Sequence, residues 1–294
     1  MRHFVVAGCS YTRNGEIAWS YFLEKLLIKK FGSDKIQFHN VAISGIGNDL
    51  ISFNCINIIQ SLLDSGVNCK DITVIIQWSG LNRQARYYEG NFPKTTGLIE
   101  VDFQEIKDEF FGEYLYDNTH KFLNTAGKGK FELDHLKNYF KYYFTPPETF
   151  RHTLDCILKT QWYLKSVAVD YKMFNGWDIF TTSDRTSKNV LDRLLKGGDK
   201  TNQFADKTKY VNIDNILYSA IFPHLILLWN MVDLNNFWTF RNKKVKLGGM
   251  TQWIQYKVPN TLWYVSNRDK HPSATAAHKF AKDVIYPMVI DIVP

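Results

Sequence analysis

The sequence HFVVAGCSYT at residues 3–12 decides the fold class, because a short apolar run ends in a turn of small residues. A run that is apolar on both faces is typical of a buried parallel strand, here residues 3–8. Residues 17–31 then place large apolar side chains at helical spacing, and Gly32 follows as a stop signal. The segment predicts a strand, a tight turn that carries Ser10, and a helix.

The same alternation of strand and helix continues along the chain. Residues 36–42 predict a second strand, and Asn48 with Asp49 can cap a following helix that has one apolar face. Residues 72–78 are rich in β-branched side chains and predict a third strand. Strands that alternate with helices favour a parallel sheet with right-handed crossovers, so we predict an α/β fold.

The rest of the sequence has weaker patterns, and we expect one domain over residues 1–294. Residues 83–150 resemble loops, and residues 83–264 include enlarged insertions that we expect to determine the substrate. Further predicted elements are a helix at 154–169, a strand within 171–180, a helix at 213–232 interrupted by Pro223, a strand at 237–240 and a closing helix at 274–293.

Composition predicts a soluble globular protein. Of 294 residues, 45% are hydrophobic and 22% charged, and no apolar run reaches the roughly 18 to 20 residues of a membrane span. Residues 4–7 are too short for the apolar part of an export signal. We therefore expect a cytoplasmic protein, or a virion-associated one if its source is viral.

The net charge of +7 could favour an anionic partner. The basic clusters at residues 29–30 and 241–246 are short, however, and no nucleic-acid-binding motif lies near them. A solvated basic surface is the simpler interpretation, and nucleic acid is not an expected partner.

The cysteines give no sign of a metal site. Cys9, Cys55, Cys69 and Cys156 are widely spaced, with no Cys-x-x-Cys pair and no zinc-type grouping with histidine. We expect reduced thiols, no metal and no cofactor, and we expect Cys9 to point into the packing of the sheet.

Three turns place chemistry-bearing residues at one predicted sheet edge. Ser10, Gly45 and Asn82 each follow a predicted strand, and the carboxyl ends of parallel strands meet at the same edge, where ligands bind. Ser10 is a candidate nucleophile, which needs a base and preorganised donors for the oxyanion. The backbone N–H groups of Ser10 and Gly45 and the side chain of Asn82 are candidate donors.

A later turn supplies the candidate base. His271 stands just before Pro272 and Ser273, where a helix is expected to start. Asp269 is two residues earlier, and in an extended segment both side chains point the same way, so its carboxylate could orient the imidazole. A Ser10–His271 dyad oriented by a backbone carbonyl stays open as an alternative.

These segments resemble the SGNH or GDSL hydrolases. Ser10 matches the serine of the first block, Gly45 the glycine of Asn-x-Ala-x-Ser-Gly, Asn82 the asparagine of Gly-x-Asn, and His271 the histidine of the last block. The resemblance spans residues 1–82 and 265–294. It implies a three-layer, flavodoxin-like α/β/α sandwich and a metal-independent serine esterase that forms an acyl-enzyme.

The sequence also departs from the family pattern. Cys9 and Arg83 replace aspartates, and Asp269 stands two rather than three residues before His271. These departures motivate a second hypothesis, a weakly active or inactive binding or structural module, for example a component of a virus particle. Short Gly-Cys-Ser openings are similar to those of hydrolase-like proteins of bacteriophages.

The substrate is the least defined part of the prediction. The family's range and the 15% aromatic content favour short acyl groups, above all acetyl esters, on a small molecule or a polysaccharide. The aromatic side chains could equally be core, and both interpretations stay open. The candidates for a sugar-binding groove are Trp162, Tyr163, Trp177, Trp238 and Trp253.

Overall fold

The computed structural model of the protein describes residues 1–13, 15–81, 85–87, 122–124, 146–177, 223–243, 245, 247–266, 269 and 271–290. Its strands, in chain order, are β1 (Arg2–Ala7), β2 (Ile36–Asn40), β3 (Ile72–Trp78), β4 (Ala85–Tyr87), β5 (Phe122–Asn124), β6 (Asp170–Asn175) and β7 (Phe237–Trp238). The central sheet is entirely parallel and has the order β2-β1-β3-β6-β7. This is the flavodoxin-like order, so the predicted fold class is confirmed.

Helices cover both faces of the sheet. They are α1 (Ser10–Arg13), α2 (Trp19–Phe31), α3 (Asn48–Asp64), α4 (Pro146–Ser166), α5 (Pro223–Asn230), α6 (Met250–Lys257), α7 (Ala274–Phe280) and α8 (Tyr286–Ile290). A π-helical turn, Ala281–Ile285, joins α7 to α8, and short 3-10 turns occupy Gly15–Ile17, Cys69–Asp71 and Asn260–Leu262.

Alternation along the strands divides the buried side chains into two cores. One contains Val5 and Trp78 and packs under α3, α4 and α5. The other contains Phe4 and Phe174 and packs under α2, α6, α7 and α8. Because successive strand residues face opposite sides, a parallel strand buried on both faces produces this three-layer arrangement.

Several predicted elements need correction. The loop-like interval at 83–150 contains the antiparallel β4–β5 ribbon, and α4 already begins at Pro146. Pro223 starts α5, which agrees with the tolerance of proline for the first turn; residues 213–222 lie outside the described part. The predicted closing helix is divided by its π turn.

The predicted cap at Asn48 is also wrong. Gly47 is the N-cap of α3 without a side-chain hydrogen bond, and Asn48 is the first helical residue. The buried Asn48 side chain instead accepts from the N–H of Ser79 at 2.7 Å and donates to its carbonyl at 3.2 Å. It thereby fastens the start of α3 to the residue that follows β3.

In the part of the chain that the structure describes, no helix is both long and apolar enough to cross a membrane.

Two histidines form a close pair on the neighbouring strands β1 and β2. The rings of His3 and His39 stack with centroids 5.3 Å apart, and Nδ1 of His3 lies 3.0 Å from Nε2 of His39. Burial lowers the pKa of both imidazoles, and the N-terminal amino group further lowers that of His3. The neighbouring His3 likewise lowers the pKa of His39.

Acidification is expected to destabilise the fold through this histidine pair. The unfolded chain takes up protons near the ordinary imidazole pKa of 6.5, whereas the folded pKa values lie lower. The contribution of the neutral histidine pair to the free energy of unfolding is therefore fully present above pH 6.5. It is lost as the pH falls through the pKa values that the two imidazoles have in the folded protein. We expect His39→Gln to reduce the Tm loss between about pH 8 and about pH 5. An equal or larger loss in thermal melts would contradict this.

Candidate active site

The candidate nucleophile lies at the carboxyl edge of the sheet. β1 ends at Ala7, Gly8 and Cys9 form the turn, and Ser10 begins α1. The turn is closed by the N–H groups of Thr12 and Arg13, which both donate to the carbonyl of Cys9, at 2.9 and 3.1 Å. Ser10 is only 7% exposed, so its hydroxyl is fixed beside the end of β1.

A buried polar network holds this turn against β3. The hydroxyl of Thr12 donates to Oε1 of Gln77 at 3.0 Å and accepts from the indole N–H of Trp19 at 3.1 Å. Nε2 of Gln77 donates to the carbonyl of Trp78 at 2.8 Å. The Cys9 thiol lies 3.5 Å from the Gln77 carboxamide, so it points into the sheet as predicted. Gln77 was not predicted as a site residue, although a lone amide inside the apolar run ITVIIQW is a usable signal.

Thr12→Val is expected to lower the free energy of unfolding by about 2 kcal/mol or more. The methyl group keeps the volume but leaves the Trp19 indole and Gln77 without the hydroxyl between them. Thr12→Ser keeps the hydroxyl and is the matched control, for which we expect a much smaller loss. Urea unfolding of both variants measures the difference, and equal losses would show that methyl packing matters instead.

The candidate base lies on a loop closed by its own backbone. In this histidine loop, residues 264–273, the N–H of Val265 donates to the carbonyl of His271 at 3.0 Å. The N–H of Ser266 donates to the carbonyl of Asp269 at 3.2 Å, and Oγ of Ser266 accepts from the N–H of Asp269 at 2.9 Å. The acid and the base therefore belong to one tightly turned unit.

Ser273 anchors the end of the histidine loop. Its N–H donates to the carbonyl of Trp263 at 3.1 Å, and its hydroxyl donates to the carbonyl of Leu262 at 2.5 Å. The same hydroxyl accepts from the N–H of Ala276 at 3.1 Å, which caps α7. The predicted helix start after His271 is therefore present.

The structure brings Ser10, His271 and Asp269 together in one hydrogen-bonded chain. Nε2 of His271 lies 2.7 Å from Oγ of Ser10, and Nδ1 lies 2.5 Å from Oδ1 of Asp269. The two ring nitrogens thus face different partners. This is the arrangement that a general base needs when a carboxylate fixes its tautomer.

Backbone geometry favours the charged form of Asp269. Its Oδ1 accepts from the N–H of His271 at 2.9 Å, and this hydrogen bond, with further help from the imidazole, lowers the pKa of the carboxyl group. An ionised carboxylate only accepts, so the Nδ1 of His271 carries the proton. Nε2 is then left to accept from the Ser10 hydroxyl.

Gly45 lies on the loop between β2 and α3. Its φ of 82° is in the left-handed region, which glycine adopts without strain. The loop is tied to the Ser10 turn, since the N–H of Ile43 donates to the carbonyl of Gly8 at 3.2 Å. The other candidate donor, Asn82, and the neighbouring Arg83 lie outside the described residues.

One aromatic side chain contacts the histidine, and a second aromatic side chain contacts the first. The Tyr11 ring makes edge contacts with the His271 ring and with Trp177, each with centroids 5.4 Å apart. The other groove candidates are placed elsewhere. Trp238 and Trp253 pack in the second core, Trp162 is 54% exposed on α4, and the Tyr163 hydroxyl donates to Gln60 on α3.

The described side chains contain no cluster of three or more histidine, cysteine or carboxylate residues that could hold a metal ion. Cys156, His152 and Asp49 form a grouping near the start of α4 that resembles a second relay. However, the thiol and the carboxylate both approach Nε2 of His152, at 3.9 and 3.6 Å, and burial raises the pKa of Cys156 to about 12. A proton relay through imidazole needs its two partners on different ring nitrogens. The grouping around His152 is therefore not a second relay.

No protein-family model and no curated protein matches the chain. Solved structures of similar overall shape include TesA, with a TM-score of 0.42 and 10% identity over 99% of this chain and 100% of that one. They also include the psychrotrophic esterase EstA from Pseudoalteromonas sp., with a TM-score of 0.41 and 11% identity over 99% and 98% of the two chains. A candidate GDSL-like lipase from Parabacteroides merdae ATCC 43184 is similar with a TM-score of 0.38 and 14% identity over 99% and 96%.

Proposed function

We propose that the protein is a serine esterase of the SGNH type. The observation that carries the proposal is the series of hydrogen bonds from Ser10 through His271 to Asp269. The two contacts measure 2.7 and 2.5 Å and involve different nitrogens of the imidazole ring. A serine hydroxyl is a weak nucleophile unless an adjacent base removes its proton, and this chain supplies that base in the required tautomer.

The reaction proceeds in two acyl transfers. Oγ of Ser10 attacks the ester carbonyl while Nε2 of His271 takes its proton, and the tetrahedral oxyanion forms. The bond to the alcohol oxygen then breaks, and the same proton passes from Nε2 to the departing alcohol, which leaves an acyl group on Ser10. Water repeats the sequence, with His271 again as base, and releases the carboxylic acid and free Ser10.

The oxyanion needs donors that are already in place. We assign this role to the N–H groups of Ser10 and Gly45 and to the side chain of Asn82. The loop that carries Gly45 is fastened to the Ser10 turn, which supports the first two assignments. Asn82 stands three residues after Ser79, and its assignment is supported by the Gly-x-Asn pattern of the sequence. Loss of one such donor typically slows the reaction by about a hundredfold to a thousandfold.

The proposed substrates are short acyl esters, above all acetyl esters, on a small alcohol or a sugar. The Tyr11 ring, which contacts both the imidazole and Trp177, supports an aromatic surface at the site, on which the apolar face of a sugar ring or another apolar group could rest. The identity of the substrate can be tested independently of the esterase activity.

Labelling with a fluorophosphonate probe tests the esterase assignment. The phosphorus atom should form a bond to Oγ of Ser10 with loss of fluoride, and tandem mass spectrometry should locate the adduct on that residue. Hydrolysis of p-nitrophenyl acetate should disappear in step with labelling. Hydrolysis that persists after complete labelling, or an adduct on another residue, would contradict the proposal.

The alternative, a weakly active or inactive binding or structural module such as a component of a virus particle, is motivated by the family positions that differ in this chain. One of these reasons weakens, since the carboxylate of Asp269 contacts His271 despite its shorter spacing. Cys9 is accommodated by the buried network around Gln77. We therefore place the enzyme first.

A further inference from the structure

Three buried polar atoms lack a hydrogen-bond partner among the described residues. They are Nε1 of Trp78 and both amide atoms of Asn175, Nδ2 and Oδ1. The two side chains are fully buried. Leaving a buried polar group unpaired is unfavourable, and the great majority of such groups in folded proteins have a partner.

The two residues are neighbours on the sheet. β3 and β6 run parallel with Trp78 directly opposite Asn175, and both are the last residues of their strands. Residues opposite each other in register share a face, which here is the face under α3 and α4. The two side chains that carry the unpaired atoms therefore leave neighbouring positions at the carboxyl edge, where parallel sheets bind their ligands.

The backbone around Asn175 is held rigidly. The N–H of Gly176 donates to the carbonyl of Trp78 at 2.9 Å, and the Gly176 carbonyl accepts from the N–H of Thr251 at 2.9 Å. A Cβ atom on Gly249 would come within 2.3 Å of the Asn175 carbonyl oxygen, so the two backbones pass closely at this point. An unpaired amide on a well-held backbone loses little conformational freedom when it binds a ligand.

The same segment leads directly to the candidate active site. Trp177, two residues after Asn175, contacts Tyr11, and Tyr11 contacts the His271 ring. A group bound at Asn175 and Trp78 therefore belongs to the neighbourhood of the reacting ester.

We propose that Asn175 and Trp78 form a hydrogen-bonding subsite for two adjacent hydroxyl groups on the alcohol part of the ester. A planar carboxamide presents one acceptor beside one donor, and the indole adds a second donor. Of two neighbouring hydroxyls, one donates to Oδ1 while the other accepts from Nδ2, and the indole N–H donates to either. The inference rests on the proposed esterase function and specifies its substrate as the ester of a polyol or sugar.

A matched pair of esters tests the subsite. 1-Monoacetin carries two adjacent hydroxyls on a three-carbon alcohol, and propyl acetate is the same ester without them. We expect kcat/KM to favour 1-monoacetin by at least about tenfold, since a site with unpaired polar groups rejects an analogue that cannot bind them. Equal values in the wild-type enzyme would overturn the subsite.

Asn175→Leu gives the second arm. The substitution keeps the approximate volume and removes both unpaired atoms, so the ratio of the two kcat/KM values should fall towards one while the Tm rises or stays unchanged. Asn48→Leu is the control, because Asn48 is equally buried but fully engaged with Ser79 and Thr153, and its loss should lower the Tm. A ratio unchanged by Asn175→Leu would also overturn the proposal.

A binding measurement separates this inference from the esterase proposal. In the Ser10→Ala variant labelled with ¹⁵N-tryptophan, the indole resonance of Trp78, assigned by Trp78→Phe, should move with 1-monoacetin and stay in place with propyl acetate. A shift without any wild-type hydrolysis would retain the subsite and reject the esterase. Hydrolysis without a shift of the Trp78 resonance would retain the esterase and reject the subsite. If a bound water occupied the position of the ligand hydroxyls, the two esters would give the same result, which would also reject the subsite.

Discussion

Replacing Ser10 with alanine is expected to lower kcat for p-nitrophenyl acetate by about 10⁴- to 10⁶-fold and to abolish fluorophosphonate labelling. The hydroxyl is the atom that bonds to the acyl group, and no described hydroxyl other than that of Ser10 is placed against Nε2 of His271. Stopped assays with substrate in large excess over the enzyme measure the residual rate.

Stability must be unaffected if this loss is to be assigned to chemistry. Ser65→Ala is the matched control, because Ser65 ends α3 at the opposite edge of the sheet and its hydroxyl only donates to the carbonyl of Leu62. We expect full activity for Ser65→Ala and a near-native Tm for Ser10→Ala. Activity retained in a folded Ser10→Ala protein would reject Ser10 as nucleophile.

Replacing Asp269 with asparagine is expected to lower kcat by about a hundredfold to ten-thousandfold with little change in KM. Asparagine can no longer stabilise the imidazolium, and its amide can hold the ring in the wrong tautomer. The side chain of Asp269 is 46% exposed, so we expect a smaller effect than for Ser10. Steady-state kinetics on p-nitrophenyl acetate separate kcat from KM.

The Asp269 result also decides between triad and dyad. Asp283→Asn is the control, since that carboxylate pairs with Lys279 on the closing helix, away from the histidine loop. A loss smaller than about fivefold for Asp269→Asn would favour a Ser10–His271 dyad, because removing the orienting acid from a true triad costs far more.

The strands β1 and β3 were predictable because they are buried on both faces. The bounds of β3 agree with the predicted residues 72–78, and those of β1 differ by one residue at each end. Burial on both faces leaves a continuous apolar run that local sequence reveals. The β4–β5 ribbon was missed, since its three-residue strands pair across a long interval and carry no such run.

Site residues that lie on turns were predictable from the local sequence. Contacts that depend on the packing of distant segments were not. Ser10 and His271 stand on turns recognisable from small residues and proline, but their 2.7 Å contact joins residues 261 positions apart. The contact of Asp269 with His271 follows from an i, i+2 spacing that the sequence shows. The roles of Gln77, Asn48 and Asn175 were not predictable, because the contacts of a buried amide depend on the atoms that the fold brings around it.

The histidine loop carries the acid and the base as a single unit, whereas the nucleophile belongs to the sheet. Among the described contacts, the bond of His271 to Ser10 and the edge contact of its ring with Tyr11 join the two halves of the proposed machinery, while the loop is closed by its own backbone hydrogen bonds. Local opening of a small segment requires less free energy than global unfolding. Heat should therefore abolish catalysis at a temperature at which the sheet and its two cores are still folded. Enzymatic inactivation would then report the local opening of the histidine loop and not the unfolding of the whole protein.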